Sequence, residues 1–290
     1  MKNPPFSYER PETLHEALTL LASEGEDAKI LAGGQSLLPI LSLRLGRPEI
    51  LIDISRVPEL GSIGLTPEGL VVGAMVSQAS ALRSPHVSQH APLLHAALPH
   101  IGHRAIRTRG TIGGSVAHAD PAAELPAVCL ASDITLTITS LRGTRAVSPQ
   151  GFFQGYMTTA LEPDELLAAL TIPPLPPTSG WSIVEESRRG GDFAMVGVAT
   201  IVNVIGGLIE SVSLSYFGLA ATPIRVSAAE NALVGAEPTP AAYDIAASIV
   251  SSMVDPSSDI HATANYRRHL AGVLTKRSLR EAVARIGVTQ

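Results

Sequence analysis

The stretch Ile30-Leu-Ala-Gly-Gly-Gln-Ser-Leu-Leu-Pro39 places two adjacent glycines between two apolar runs. A Gly-Gly pair weakens any regular element, and no GxGxxG or GxxxxGK[ST] pattern surrounds this one. Glycine permits a positive φ and a close approach of the backbone, so that consecutive N–H groups can converge on an anion. The stretch therefore predicts either an anion-binding loop or a tight turn next to a strand.

A second segment, Thr111-Ile-Gly-Gly-Ser115, repeats this form of an apolar residue, two glycines and a small hydroxyl. The hydroxyls of Ser36, Thr111 and Ser115 add hydrogen-bond donors beside the glycines. Two such loops can hold a pyrophosphate from opposite sides without a Rossmann helix. The alternative is that each is only a turn between strands.

The residues around the first motif predict a βαβ-like unit. Leucines 14, 18 and 21 recur at helical spacing, and Thr13 with Glu16 matches a capping box. Residues 28–32 and 49–54 are short apolar strands. Residues 36–44, between them, are expected to form a helix or a loop.

The rest of the chain reads as mixed strands and helices. Residues 104–121 are rich in turn residues and show little helical periodicity, so we expect an irregular segment there. Four prolines in residues 172–180 mark a linker, and Gly206-Gly207 is a two-residue hairpin signal. The other predicted elements are strands at 69–73, 134–139, 181–187, 193–204 and 208–219, and helices at 76–82, 90–98, 122–130, 226–233, 241–254 and 262–286.

Composition excludes several classes of function. The 290-residue chain has a formal net charge of −5 and no block of Lys and Arg, which argues against nucleic acid or an anionic membrane surface as a partner. Only 16% of residues are charged, against roughly a quarter in average proteins. This indicates either a large Ala-rich core or a surface covered by another subunit. There is no signal-peptide core and no apolar run long enough for a transmembrane segment, so the expected location is cytoplasmic.

The sequence also contains other reactive side chains. Cys129, the single cysteine, lies in an apolar run and is expected to be buried in the core. The histidines lack metal-ligand spacing, and we expect them to be solvated or hydrogen-bonded. Arg104, Arg107 and Arg109 either steer phosphates, pair with a partner or form a solvated face. Residues 185–192 form either a hairpin with ion pairs or a cofactor-facing loop.

Three segments together resemble the FAD-binding medium subunit of molybdenum hydroxylases, the group that includes carbon monoxide dehydrogenase and, as a fused domain, xanthine dehydrogenase. They are LAGGQSLLPILSLRL followed by PEILIDISRVPEL, then RTRGTIGGSVAHADPAAELPAVCLA, and then EESRRGGDFAMVGVAT. The resemblance covers essentially the whole chain. It implies an α+β protein with a vanillyl-alcohol-oxidase-type FAD-binding domain at 1–176, of two subdomains at about 1–56 and 57–176. A small C-terminal domain of antiparallel sheet plus helices follows at 177–290.

The resemblance also implies a set of residues that bind noncovalent FAD. The two glycine loops would hold the pyrophosphate, Glu124 would bond a sugar or ribityl hydroxyl, and Phe193 would lie near the flavin ring. The implied cofactor-binding residues are Ala32, Gly33, Gly34, Gln35, Ser36, Ile101, Thr111, Ile112, Gly113, Gly114, Ser115, Glu124, Leu167, Asp192 and Phe193. No residue of this chain is implied to be catalytic or to bind a metal.

By the same resemblance, the chain is one subunit of an oxidoreductase complex. A large subunit would carry molybdopterin and a small subunit two [2Fe–2S] clusters, in a dimer of heterotrimers. Electrons would pass from the clusters to FAD and from FADH₂ to an external acceptor. Two alternatives stay open, a non-catalytic binding module whose glycine loops are only turns and a self-sufficient flavin oxidoreductase of the same fold.

Overall fold

The computed structural model describes residues 2–287. The predicted domains 1–176 and 177–290 therefore include residue 1 and residues 288–290, which lie outside the described residues. Its strands are β1 (Ser7–Glu9), β2 (Ala28–Leu31), β3 (Ile50–Asp53), β4 (Ile63–Thr66), β5 (Gly69–Gly73), β6 (Thr135–Ser140), β7 (Gly143–Val147), β8 (Phe153–Gly155), β9 (Thr158–Thr159), β10 (Leu166–Ile172), β11 (Ser179–Glu186), β12 (Val196–Ile205), β13 (Leu208–Phe217) and β14 (Ile224–Arg225).

The α-helices lie between and after these strands. They are α1 (Leu14–Glu24), α2 (Leu37–Ser42), α3 (Gln78–Arg83), α4 (Pro85–His90), α5 (Pro92–Ala97), α6 (Arg104–Arg109), α7 (Ile112–His118), α8 (Glu124–Ala131), α9 (Pro149–Phe152), α10 (Ser227–Leu233), α11 (Pro240–Met253) and α12 (Ala264–Ala284). In the part of the chain that the structure describes, no helix is both long and apolar enough to span a bilayer.

The N-terminal unit is a parallel sheet in the order β1-β3-β2. Its helix α1 begins with the predicted capping box, because Thr13 Oγ1 accepts from the Glu16 N–H at 3.2 Å and Glu16 Oε2 accepts from the Thr13 N–H at 3.3 Å. The βαβ-like prediction is confirmed. Because the strands are parallel, their carboxyl ends meet at one edge, where ligands bind in open α/β sheets.

The remaining sheets are antiparallel. A five-stranded sheet has the order β4-β5-β10-β6-β7, and a four-stranded sheet the order β11-β12-β13-β14. The predicted hairpin is confirmed, since Gly206 and Gly207 join β12 to β13 with φ values of 61° and 83°. Both positive angles match the twist that two-residue hairpins require. The fold is therefore mixed α and β, as predicted.

The four-stranded sheet is buried on both faces. Alternate residues of β12 face opposite sides, with Ala199 and Ile201 in one apolar core and Val198 and Val202 in another. Helices α5 and α8 pack on the first face, while α12 covers the second. The C-terminal sheet is thereby packed against α5 and α8, which precede it in the chain.

One prediction about the backbone is wrong. Residues 104–121, expected to be irregular, contain α6 and α7, so the second Gly-Gly pair lies in the first turn of a helix. Tertiary contacts outweigh the poor helix propensity of glycine there, because Gly113 packs on Ala74 so closely that a Cβ atom would overlap it.

Candidate functional site

The first glycine motif forms an open loop between β2 and α2. Gly34 has a φ of 72°, which an L side chain rarely adopts, and Gln35 Nε2 donates to the Gly33 carbonyl at 3.0 Å. Among the hydrogen bonds within residues 2–287, none uses the N–H of Gly33, Gly34, Gln35 or Ser36. Four successive donors at the carboxyl edge of a parallel sheet suit an anionic ligand.

The two glycine motifs lie against each other. A Cβ atom at Gly33 would overlap the Arg109 carbonyl and lie 2.8 Å from the Cα atom of Gly110. A Cβ atom at Gly114 would lie 3.4 Å from Ala32 Cβ. The glycines therefore let the loop after β2 pack directly on the turn between α6 and α7.

The second motif uses its own N–H groups inside the chain. Thr111 caps α7 by accepting from the Gly114 N–H at 3.0 Å, and the Gly113 N–H donates to the Ala74 carbonyl at 2.9 Å. The N–H groups of Ile112 and Ser115 also donate to backbone carbonyls. Within residues 2–287, four of the five N–H groups of the second motif are thus paired inside the chain, and the N–H of Thr111 and the hydroxyl of Ser115 have no partner.

A cleft of about 260 Å³ opens beside the first loop. Its polar wall comes from residues at the ends of β1 and β3, where the Tyr8 hydroxyl donates to Asp53 and Arg10 Nε lies 3.4 Å from an Asp53 oxygen. These contacts outweigh the effect of burial and hold the pKa of Asp53 below its ordinary value. The cleft is lined by Tyr8, Arg10, Leu31, Ala32, Gly33, Gly34, Leu38, Asp53, Ser55 and Arg109.

Arg109 is a positively charged residue in the lining of this cleft. In the described part of the chain it forms no ion pair, and it lines the cleft together with the unpaired N–H groups of Gly33 and Gly34. The sequence singled out Arg109 but left its role open, whereas Tyr8, Arg10 and Asp53 were missed. The parallel βαβ pattern carries the signal for these three, because it places the ends of β1, β2 and β3 at one edge.

Residues 98–103 shape a second part of the site. Arg107 Nη1 donates to the carbonyls of Pro99, Ile101 and Gly102 at 3.2, 2.8 and 3.0 Å. The two hydrogens of this nitrogen are shared among three carbonyls and hold the segment against α6, with Ile101 half-buried at the edge of the core. Arg107 therefore has a structural role. This answers, for one of the three arginines, the question that the sequence left open.

The loop between β11 and β12 meets this segment. Gly191 lies so close to the His103 ring that a Cβ atom would overlap it. Phe193, at 70% exposure, and Asp192 follow in the same loop. The expected hairpin is present but its ion pairs are not, since in residues 2–287 Arg188 bonds the Ile260 and His261 carbonyls instead.

Glu124 begins α8 in a buried, charged cluster. Burial and repulsion by Glu185 raise its pKa to about 7. His100 Nδ1 lies 3.3 Å from Glu185 Oε1, and this bond raises the pKa of His100. Glu185 Oε2 is buried and lacks a hydrogen-bond partner within the described residues.

Other predicted residues lie deeper. The Leu167 side chain, at 4% exposure, belongs to the apolar core beneath β10. Cys129 is buried as expected, and burial raises the pKa of its thiol. Across residues 2–287, no three His, Cys, Asp or Glu side chains are placed to hold a metal ion.

Comparison with known proteins identifies the family. Residues 4–175 match the family described as the FAD binding domain in molybdopterin dehydrogenase, and residues 182–282 match the CO dehydrogenase flavoprotein C-terminal domain. The chain belongs to the FAD-binding medium subunits of molybdenum hydroxylases. It is accordingly an oxidoreductase subunit.

Chains of known oxidoreductases match it along nearly their whole length. The chain is 40% identical to the 6-hydroxypseudooxynicotine dehydrogenase complex subunit alpha of Paenarthrobacter nicotinovorans, covering 100% of this chain and 98% of the relative. A chain of carbon monoxide dehydrogenase from Hydrogenophaga pseudoflava has 37% identity and a TM-score of 0.96, covering 99% and 100%. A chain of quinoline 2-oxidoreductase from Pseudomonas putida 86 has 37% identity and a TM-score of 0.94, covering 98% and 99%.

The geometry fits the cofactor of this family. FAD carries a diphosphate at its centre and hydrogen-bond donors on its sugar-like chain and flavin ring. The first loop supplies unpaired N–H groups with Arg109 nearby, and the distant cluster supplies carboxylate acceptors at Glu124 and Glu185. Helix α7, at 1.5 Å per residue roughly 10 Å long, begins at the glycine motif and ends shortly before Glu124.

Proposed function

We propose that this chain carries FAD as the electron-exit subunit of a molybdenum-containing hydroxylase or dehydrogenase complex. It takes electrons from [2Fe–2S] clusters of a small partner subunit and delivers them to an external acceptor. A large partner subunit holds the molybdopterin and oxidises the substrate. The observation that carries this proposal is the match of the whole chain to medium subunits, combined with a free N–H cradle at residues 33–36.

Cysteine content supports a division of labour between chains. A [2Fe–2S] cluster of this type needs four protein ligands, usually cysteine thiolates. This chain has one cysteine, Cys129, whose side chain is buried in the core. The clusters must therefore belong to another subunit, and this chain contributes the flavin.

The proposed site assigns a separate task to each group. The N–H groups of Gly33, Gly34, Gln35 and Ser36 bind the pyrophosphate, and Arg109 adds positive charge. Bound FAD supplies two-electron chemistry that no amino-acid side chain offers. The chain binds it noncovalently, with Phe193 packing near the ring and Ile101 forming an apolar wall, and Leu167 belongs to the core that supports this wall.

Exposed apolar side chains support contact with partner subunits. Leu43, Leu45 and Ile260 are 57%, 76% and 87% exposed. A contiguous exposed apolar patch is typical of a protein interface, and Leu43 and Leu45 lie two residues apart in the sequence. We propose that a partner subunit covers these side chains, which would also account for the low charge content. The complex is proposed to be a dimer of heterotrimers.

The test is to isolate the tagged chain from its own host with its partners. We expect co-purification of two further chains together with molybdenum, iron and acid-releasable FAD. In the isolated complex, reduction should bleach the flavin and the clusters together, and an external dye should reoxidise both. Recovery of this chain without molybdenum, iron or flavin would contradict the proposal.

A further inference from the structure

One ion pair joins the two halves of the chain next to the proposed flavin position. His100 lies in the segment before α6, and Glu185 lies near the end of β11, with 3.3 Å between Nδ1 and Oε1. The Glu185 side chain is only 9% exposed. A carboxylate in such a place is stabilised only when its oxygens are hydrogen-bonded.

The second oxygen of Glu185 lacks such a bond. Within residues 2–287 its Oε2 atom is buried and accepts from no donor. A buried acceptor without a partner is destabilising, and more so when it is charged. The pair with His100 therefore fixes Glu185 in position and leaves one carboxylate oxygen without a donor among the residues that the structure describes.

Glu124 provides a second acceptor beside the first. Its side chain is 8% exposed, and its raised pKa reflects burial first and the charge of Glu185 second. The surrounding charged groups are His100 and Asp120 near Glu124, and Arg277 near His100. A site with two carboxyl groups and one imidazole attracts hydroxyl and N–H donors and disfavours another anion.

The cluster is located at the flavin end of the proposed site. His100 directly precedes Ile101, and Gly191 of the Phe193 loop touches His103. The glycine motifs, in contrast, meet at the opposite end of α6, where Gly33 packs on Arg109. Donors near the cluster thus belong to the ribityl chain or the flavin ring, and the diphosphate lies at the other end.

We propose that Glu185, positioned by His100, binds the flavin half of FAD by accepting a hydrogen bond at its free carboxylate oxygen. This inference rests on the proposed function and adds a residue that is absent from the predicted site. Glu124 accepts from the same half of the cofactor. Because a carboxylate next to the ring disfavours added negative charge, Glu185 also lowers the reduction potential of the bound flavin.

The test compares FAD binding to the FAD-free full-length chain and its variants, measured by quenching of flavin fluorescence. Glu185→Gln should raise the Kd for FAD about tenfold, as expected for loss of a charged acceptor. The Kd for ADP, which lacks the flavin half, should not change. The flavin that does bind should have a higher midpoint potential than in the wild type.

Glu186→Gln is the matched control, because it removes the same charge one residue along β11, where side chains face the other way. It should bind FAD like the wild type. If Glu185→Gln does not fold, His100→Ala keeps the carboxylate but removes its support, and should raise the Kd for FAD several-fold. The same variant should leave binding of ADP unchanged.

Two outcomes would overturn the inference while leaving the proposed function intact. One is that Glu185→Gln and His100→Ala both bind FAD with a Kd within twofold of the wild-type value. The other is equal weakening of FAD and ADP, which would indicate a structural role. Failure of the wild-type chain to bind FAD would instead contradict the proposed function itself.

Discussion

Gly33 packs directly on the main chain of Arg109, because glycine has no side chain to occupy the space between them. A Cβ atom added at residue 33 would lie only 2.8 Å from the Cα atom of Gly110. This contact joins the loop after β2 to the end of α6 and so sets the separation of the two glycine motifs. Gly33 is required by packing within the protein, in addition to any contact with a cofactor.

Gly33→Ala should therefore weaken both the fold and FAD binding. The methyl group would overlap backbone atoms that cannot rotate away, which we expect to lower the free energy of unfolding by about 1–3 kcal/mol. Urea unfolding of the FAD-free protein and FAD titration measure the two effects. Gly64→Ala is the control, because a Cβ atom at Gly64 meets nothing within 4 Å. Equal stability of the two variants would refute the packing role.

The pH dependence of stability follows from the Glu124 cluster. The pKa of Glu124 is about 7 in the folded chain against an ordinary value of 4.5, so the folded chain keeps a proton that the unfolded chain has lost. Its unfolding free energy should fall by up to about 3 kcal/mol as pH rises from about 4.5 through about 7. His100 acts in the same direction, because its raised pKa gives stability that is lost as pH rises.

Urea unfolding of the FAD-free protein from about pH 5 to about pH 9 measures this dependence. Glu124→Gln removes the titrating group without changing its shape and should flatten the profile. A Gln variant with the same pH dependence as the wild type would show that other groups cause it.

Ser36 should bind the cofactor through its hydroxyl as well as its N–H. Its hydroxyl forms no hydrogen bond within the described residues, and it lies at the end of the loop with free N–H groups. Ser36→Ala should raise the Kd for both FAD and ADP by about tenfold, since a hydrogen bond to a charged group is lost. Ser248→Ala, at an exposed helical site, is the control. Unchanged ADP binding by Ser36→Ala would place Ser36 outside the pyrophosphate site.

Arg267 should be important for stability. Its buried guanidinium donates to the Met195 carbonyl and, at 2.8 Å, to the Gly218 carbonyl, and it lies 2.6 Å from Asp259. Arg267→Met leaves these acceptors unpaired and should lower the free energy of unfolding by about 3 kcal/mol, as measured in urea. Arg268→Met, which removes half-exposed bonds to Asp255, Asn265 and the Val254 carbonyl, should change it by less than about 1 kcal/mol. Similar losses in both variants would contradict this difference.

Local sequence signals predicted much of the fold. The capping box of Thr13 and Glu16, the hairpin at Gly206 and the apolar strands all depend on neighbouring residues, and the structure confirms them. Helix α7 was missed because its first turn contains two glycines. Its stability comes from the fit of Gly113 against Ala74, which lies far away in the sequence.

The candidate site was predictable to a similar degree. The free N–H groups at residues 33–36 follow from a glycine pair after a strand. The pairing of His100 with Glu185 could not be predicted, because it depends on how the C-terminal sheet packs on the helices before it. The use of the N–H groups of the second motif within the chain likewise became visible only in three dimensions.

The most direct test of the central claim is the flavin content of the purified full-length chain. The account predicts a yellow protein that releases one FAD per chain on acid precipitation and takes up FAD again after its removal. Gly33→Ala should bind FAD more weakly, and Gly64→Ala should bind it like the wild type. A colourless wild-type protein that does not bind added FAD would contradict the account.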